Sequence, residues 1–337
     1  MNNTKLERPL LIVVSIVRNE AWVLNAFLSA ASCWADVIII ADQMSTDGSR
    51  EIYKRYPKVH LIDNDRPNMH QAASRRLVLE EARKILNGND NAVLFALDAD
   101  EILEGDFIHS REWAKIIHSQ PNDCFGWRWM NLLPGDASHY VAPVPFYWAV
   151  HVSKELWEGT FPNNKIHEWR LPWPKNAVKM LELKNFYSIH YGGGFHIKRQ
   201  RNKSRFYQVN SMEDAQRYNF ISIYRQYHSS DKKDVLTVQE NAYIYYQEQG
   251  LDILSMINLA DEGEHYTKEI MSYFEKNGTD KYIMLDIWDT EWCERNGVKV
   301  PSRNILQKII MLYLKISNPY ASSLIIRAID KILKMIF

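Results

Sequence analysis

The sequence predicts an α/β protein built on a mostly parallel sheet covered by helices, with a helical C-terminal extension. Three observations carry that expectation. Strand and helix signals alternate over the first hundred residues, the grammar of a parallel sheet. The strand segments are apolar throughout instead of alternating, as strands buried on both faces are. A chain of 337 residues, 46% hydrophobic and 24% charged, can bury a large core in one or two domains.

Leu10 to Val17 reads as the first strand, and Asn19-Glu20 follows its end. Residues 20–32 have helical spacing, with Trp22, Val23, Ala26, Phe27 and Ala30 on one face. Val37 to Ile40 is a second strand, closed by Asp42. In Ser45-Thr46-Asp47-Gly48-Ser49, the Ser and Asp side chains can cap a helix over residues 49–56. Val59 to Ile62 is a third strand, and residues 69–86 repeat apolar side chains at helical spacing. A fourth strand, from Val93, stops abruptly in Asp98-Ala99-Asp100-Glu101. Open α/β sheets place their ligands at that end of a strand. Carboxylates are costly to bury unless a cation offsets them, and Mg²⁺ prefers one or two carboxylates plus phosphate oxygens. The competing reading is a surface turn, where Asp is common.

From about residue 123 to 200, short aromatic runs such as Phe125 to Met130 and Pro145 to Val150 read as strands of an antiparallel or mixed sheet. Residues 235–249, 251–260 and 264–276 read as three helices. The last stretch, 299–337, has seven Lys or Arg against one acid, Asp330, among many Ile and Leu. Such a basic amphipathic tail suits peripheral contact with an anionic membrane, or a helix pair docked on the protein or a partner. The expected division is residues 1–215, then a helical extension over 216–298, then the tail.

Composition excludes several classes. Lys plus Arg equals Asp plus Glu at 41 each, so no global field points to nucleic acid. Cys33, Cys124 and Cys293 are isolated, which argues against a disulfide framework or zinc site and for a reducing compartment. The polar start is no secretory signal, and no apolar run approaches the ~18 residues of a spanning helix. A cytoplasmic protein is expected, held through its tail at the inner face of the cytoplasmic membrane. Eleven Trp and eighteen Tyr suit either core packing or the flat faces of carbohydrates.

Four motifs in order now carry a resemblance. They are Val14 to Glu20 ending in Asn19-Glu20, Asp42 to Gly48, Arg75 after Ser74, and Asp98-Ala99-Asp100. Together they resemble glycosyltransferase family 2, which has the GT-A fold, closely over residues 8–105 and loosely over 120–200. Val17 stands where that family often has Pro, and Gln43 where it commonly has a second Asp. Of the family's Ala-Arg-Asn segment only Arg75 is matched. The resemblance implies a nucleotide-diphosphate sugar donor, expected to be a UDP-sugar, and a Mn²⁺ or Mg²⁺ ion. It places Asn19 and Glu20 in the donor site, Asp42 at the base, Arg75 at base or phosphate, Asp98 at ribose or metal, and Asp100 at the metal. Arg suits planar, bidentate phosphate contacts.

Further along, Lys165-Ile166-His167-Glu168-Trp169 resembles a Val-His-Glu segment of members that build lipopolysaccharide cores. It implies Glu168 as general base and His167 beside the donor. His190 matches the late His that completes metal binding in many GT-A enzymes, and imidazole plus carboxylate is a reasonable Mn²⁺ or Mg²⁺ set. Gly192, Gly193 and Gly194, followed by Lys198 and Arg199, read as a lid over the diphosphate or as a solvated basic loop. The implied reaction is inverting transfer of a sugar to a hydroxyl of a surface glycan or glycolipid. Two rivals stand beside it. A sugar-nucleotide nucleotidyltransferase would carry a Gly-rich loop where Arg18 to Ala21 stands. A degenerate carbohydrate-binding protein would not need Asp98, Asp100 and His190 intact.

Overall fold

The computed structural model describes residues 8–65, 71–135, 138–159, 161, 170–177, 179–192, 195–213, 219–228 and 234–336. The chain forms two compact units, residues 1–195 with 234–260, and residues 196–233 with 261–337. Grouping by packing thus differs from division in chain order, because segment 234–260 returns to the first unit.

In chain order the first unit begins with β1 (Leu10–Val17), α1 (Ala21–Trp34), β2 (Val37–Asp42), α2 (Ser49–Tyr53), β3 (Val59–Asp63), α3 (Gln71–Leu86) and β4 (Ala92–Ala96). It continues with β5 (Glu101–Leu103), α4 (Arg111–Ile117), β6 (Cys124–Leu132), β7 (Ser138–Val141), β8 (Phe146–His151), α5 (Lys154–Trp157) and β9 (Met180–His190). Helices α6 (Ile197–Glu213) and α7 (Phe220–Tyr227) belong to the second unit. The chain then re-enters the first with β10 (Leu236–Thr237) and α8 (Ile244–Glu248). It finishes the second with α9 (Glu264–Asn277), α10 (Thr290–Arg295), α11 (Ile305–Ser317) and α12 (Leu324–Ile336).

The sheet runs β10-β7-β6-β8-β4-β1-β2-β3, with β9 pairing β5 and β6. Strands β3, β2, β1 and β4 are mutually parallel, as their apolar runs predict. Beyond β4, every pair is antiparallel except β6 with β9, so the aromatic half is mixed, again as expected. Strand β3 departs from full burial because it is the sheet edge, and Leu61 stays exposed. The path from β1 goes outward to β2 and β3, then crosses back to β4 on the other side of β1. That reversal puts the switch point, where open α/β sheets bind ligands, between the C-terminal ends of β1 and β4.

Much of the aromatic load is core. Trp34, Phe95, Phe107, Trp113, Trp127 and Phe186 form an edge-to-face and stacked network under the sheet. Tyr245 and Tyr246 join it, their hydroxyls donating to the Cys33 and Leu103 carbonyls at 3.2 and 2.9 Å. These anchors correct the expected helix over 235–249, which is a two-residue strand on β7 followed by the short α8. The expected helix over 251–260 reduces to a single 3₁₀ turn, Leu254–Met256. The third, α9, forms where its periodicity placed it.

Candidate active site

The loops after β1 and β2 are knitted together. The Asn19 amide donates to Ser45 Oγ at 2.9 Å, and Asn19 Oδ1 accepts from the Thr46 amide at 2.8 Å. Asp47 accepts from the Ala21 amide at 2.9 Å, placing a carboxylate at the positive N-terminus of α1. Its other oxygen holds the Ser49 amide and hydroxyl. Gly48 sits at φ +96°, where a side chain would be strained. Glu20 accepts from the Trp22 indole. The Asn19-Glu20 and Ser-Thr-Asp-Gly motifs are therefore one clasp.

Asp42 lies at the end of β2 as expected, but its side chain is fully buried. Its carboxylate accepts from the Ser45 amide (2.9 Å), Arg50 (3.0 Å) and the Tyr53 hydroxyl (2.9 Å). Arg50 spans onward to Asp63 at 2.6 Å, tying β2 to β3. Burial and the Asp42 charge push the Tyr53 hydroxyl well above its usual range, so it stays a donor. A carboxylate has about four lone-pair sites, and three are filled from within. Arg75 is buried on α3.

Across the switch point, the chain turns sharply after β4. The Glu101 amide donates to the Asp98 carbonyl at 3.1 Å, and β5 then pairs with β9, Glu101 opposite His190. The Tyr191 amide donates to the Asp100 carbonyl at 2.9 Å. These bonds bring together Asp100, Glu101 and His190, each offering one ligand atom within 4.8 Å of the others. His190 Nε2 stands 3.6 Å from Asp100 Oδ2, too long for a hydrogen bond and suited to a shared cation. His190 Nδ1 is 2.8 Å from Asn131 Oδ1, which accepts only if Nδ1 carries the proton, leaving the Nε2 lone pair toward Asp100. The imidazole also stacks on Trp129, centroids 4.6 Å apart. One imidazole and two carboxylates fit Mn²⁺ or Mg²⁺ in donor chemistry.

Glu101 takes the place in this cluster that the sequence reading gave to Asp98. The Asp98 side chain is half exposed and turns instead to Arg170, with which it makes a very short ion pair. Arg170 clasps the fully buried Glu101 with two nitrogens, at 3.0 and 2.7 Å, and lies 4.4 Å over the Trp148 ring. Burial drives the Glu101 carboxyl up to about 7, against the opposing pull of Arg170. Arg170 itself is held firmly protonated by Asp98 and Glu101 despite its burial.

Gly192 completes the cradle. A β-carbon there would collide with Asp100 Oδ2 and lie 2.7 Å from His190 Nε2. Gly192→Ala is therefore expected to weaken Mn²⁺ binding on the order of tenfold with the fold retained, since it moves ligands without removing one. Calorimetric titration with Mn²⁺ checks this, and unchanged affinity would separate Gly192 from the cluster.

His167 and Glu168 lie outside the described residues, as do Gly193 and Gly194 of the expected lid. Lys198 and Arg199 begin α6 in the second unit, where each meets an acid: Glu262 at 2.6 Å and Asp261 at 3.0 Å. Their charge is already matched there. Asn131, Glu101, Trp129 and Arg170 are the site residues that sequence reasoning left without a role. Only Glu101 gave a signal, as the third acid after β4.

With this geometry in view, residues 12–111 match the family model described as Glycosyl transferase family 2. That span holds β1 from Ile12 onward, β2 to β5, both clasped loops and the Asp98–Glu101 turn. The chain carries a glycosyltransferase domain, on an α/β fold consistent with GT-A, and is a glycosyltransferase. No curated protein matches the chain. No described helix is long and apolar enough to cross a membrane.

Proposed function

We propose that the protein is a divalent-metal-dependent, inverting transferase that moves a sugar from a UDP-sugar to a hydroxyl of a glycan or glycolipid, of the lipopolysaccharide-core kind. The observation that carries this reading is the Asp100–Glu101–His190 cluster beside the switch point, preceded by β4 of the matched span. Bound there, Mn²⁺ or Mg²⁺ would supply Lewis-acid stabilisation of the charge left on the departing nucleoside diphosphate. Asp100, Glu101 and His190 hold the ion; Asn131 fixes the imidazole tautomer.

The nucleotide lies along the clasp after β1 and β2. Asn19, Glu20 and Asp42 act there by holding its shape. Arg75 faces base or phosphate from α3, and Asp98 faces the ribose. Arg170 holds Asp98 and Glu101 until the donor arrives. Glu168 takes the proton of the acceptor hydroxyl, which attacks the anomeric carbon and inverts it in one displacement. The protein works at the cytoplasmic face of a membrane.

Glu168→Gln tests the assignment. UDP-sugar affinity should remain while turnover falls about 100-fold or more. Retained turnover with collapsed donor affinity would give Glu168 a binding role and remove it as the base.

A further inference from the structure

The C-terminal helices carry a surface that the transfer reaction leaves unused. In α11, Ile310 and Leu314 pack into the core of the second unit. On the opposite side, Ile305, Ile309, Leu312 and Ile316 recur at i, i+4, i+7 and i+11 and are exposed. Helix α12 repeats the arrangement. Leu333 packs inward, while Ile325, Ile329, Ile332 and Ile336 form an exposed stripe of the same spacing. Exposure of these eight runs from 37% at Ile329 to 79% at Ile305. Two contiguous apolar stripes on surface helices mark a surface built for contact.

Charge selects the occupant. Lys308 and Lys315 flank the first stripe; Arg327, Lys331 and Lys334 lie across α12 from the second, on its polar side, and all five are exposed. The one acid of the segment, Asp330, is buried and turned inward to Arg225 at 2.9 and 3.0 Å and to the Tyr313 hydroxyl at 2.8 Å. A second copy would oppose these cations with cations. Anionic headgroups above acyl chains match both the lysines and the isoleucines. Each helix has 13 residues, a length for lying in the interface and not for crossing it.

We infer that α11 and α12 seat the protein on an anionic lipid surface, their apolar stripes at the boundary of headgroups and acyl chains. The test requires neither donor nor acceptor, so its outcome is independent of the transferase reading. The full chain is sedimented with vesicles of phosphatidylcholine alone and of phosphatidylcholine with phosphatidylglycerol in equal parts. Binding is expected to the anionic vesicles, weakened by salt, and at least about tenfold lower to the neutral ones. Ile325→Ser with Ile329→Ser and Ile332→Ser, and separately Lys331→Glu with Lys334→Glu, should each reduce it on the order of tenfold or more. These positions are exposed, and unchanged circular dichroism and Tm verify that the variants fold. No binding to anionic vesicles, or binding that neither variant alters, overturns the inference. So does a dimer in ultracentrifugation that the serine variant dissolves, which would assign the stripes to a second copy.

Discussion

Asp100→Ala is expected to lower metal-dependent sugar transfer by about 10²–10³-fold, the cost of removing a group that stabilises developing charge. Stability should be kept. The backbone contacts that locate this turn, the Glu101 amide on the Asp98 carbonyl and the Tyr191 amide on the Asp100 carbonyl, are left in place by the substitution. Removing the carboxylate also relieves repulsion within a cluster that gathers Asp100 and Glu101. A residue whose loss costs turnover while sparing the fold is one retained for chemistry. Steady-state transfer assays across a Mn²⁺ titration, with thermal melts beside them, check both halves. Near-normal turnover at saturating metal would contradict the assignment.

The largest effect on stability is expected at Arg170. Arg170→Met keeps an aliphatic chain against Trp148 but leaves the buried Glu101 carboxylate without its bidentate partner. Breaking a buried pair from one side costs roughly 3–5 kcal/mol. The pH dependence follows from Glu101, whose carboxyl burial raises to about 7. The folded protein thus holds that proton more tightly than the unfolded chain, where Glu titrates near ~4.3. The group's stabilising contribution is full below the unfolded value and is lost as pH rises through about 7. Without Arg170 the main opposition to burial is lost, so the variant's deficit should be small at acid pH and widen through neutrality. Urea denaturation in EDTA at several pH values measures it. A deficit independent of pH would attribute Arg170's contribution to Asp98 and the indole rings instead of Glu101.

The first half of the fold was legible because β1, β2 and β4 are buried on both faces. Leu10 to Val17 and Ala92 to Ala96 need no partner information to be recognised as parallel strands. The segment 235–260 was misread for the converse reason. Its tyrosines have helical spacing, yet Tyr245 and Tyr246 are spent on carbonyls of residues 33 and 103, far away in sequence. The site divides the same way. Asp98 and Asp100 announce themselves by ending an apolar strand. Which of them joins the cation cluster depends on Arg170, 72 residues beyond Asp98, and on the β5–β9 register that sets Glu101 against His190. Asn131, 59 residues from His190, leaves no local mark either. Asp42 was visible as a strand-ending acid. That its carboxylate points inward follows from Arg50 and Tyr53, and the motif alone does not show the direction.

The most direct measurement is an electron paramagnetic resonance titration of the protein with Mn²⁺, with and without UDP, on the unsubstituted chain and on Asp100→Ala. The account predicts bound Mn²⁺ in the unsubstituted protein, tighter when UDP is present, and on the order of tenfold or more weaker binding in the variant. Mn²⁺ that stays free in both proteins, or binds both alike, would contradict the Asp100–Glu101–His190 cluster as the metal centre of this glycosyltransferase.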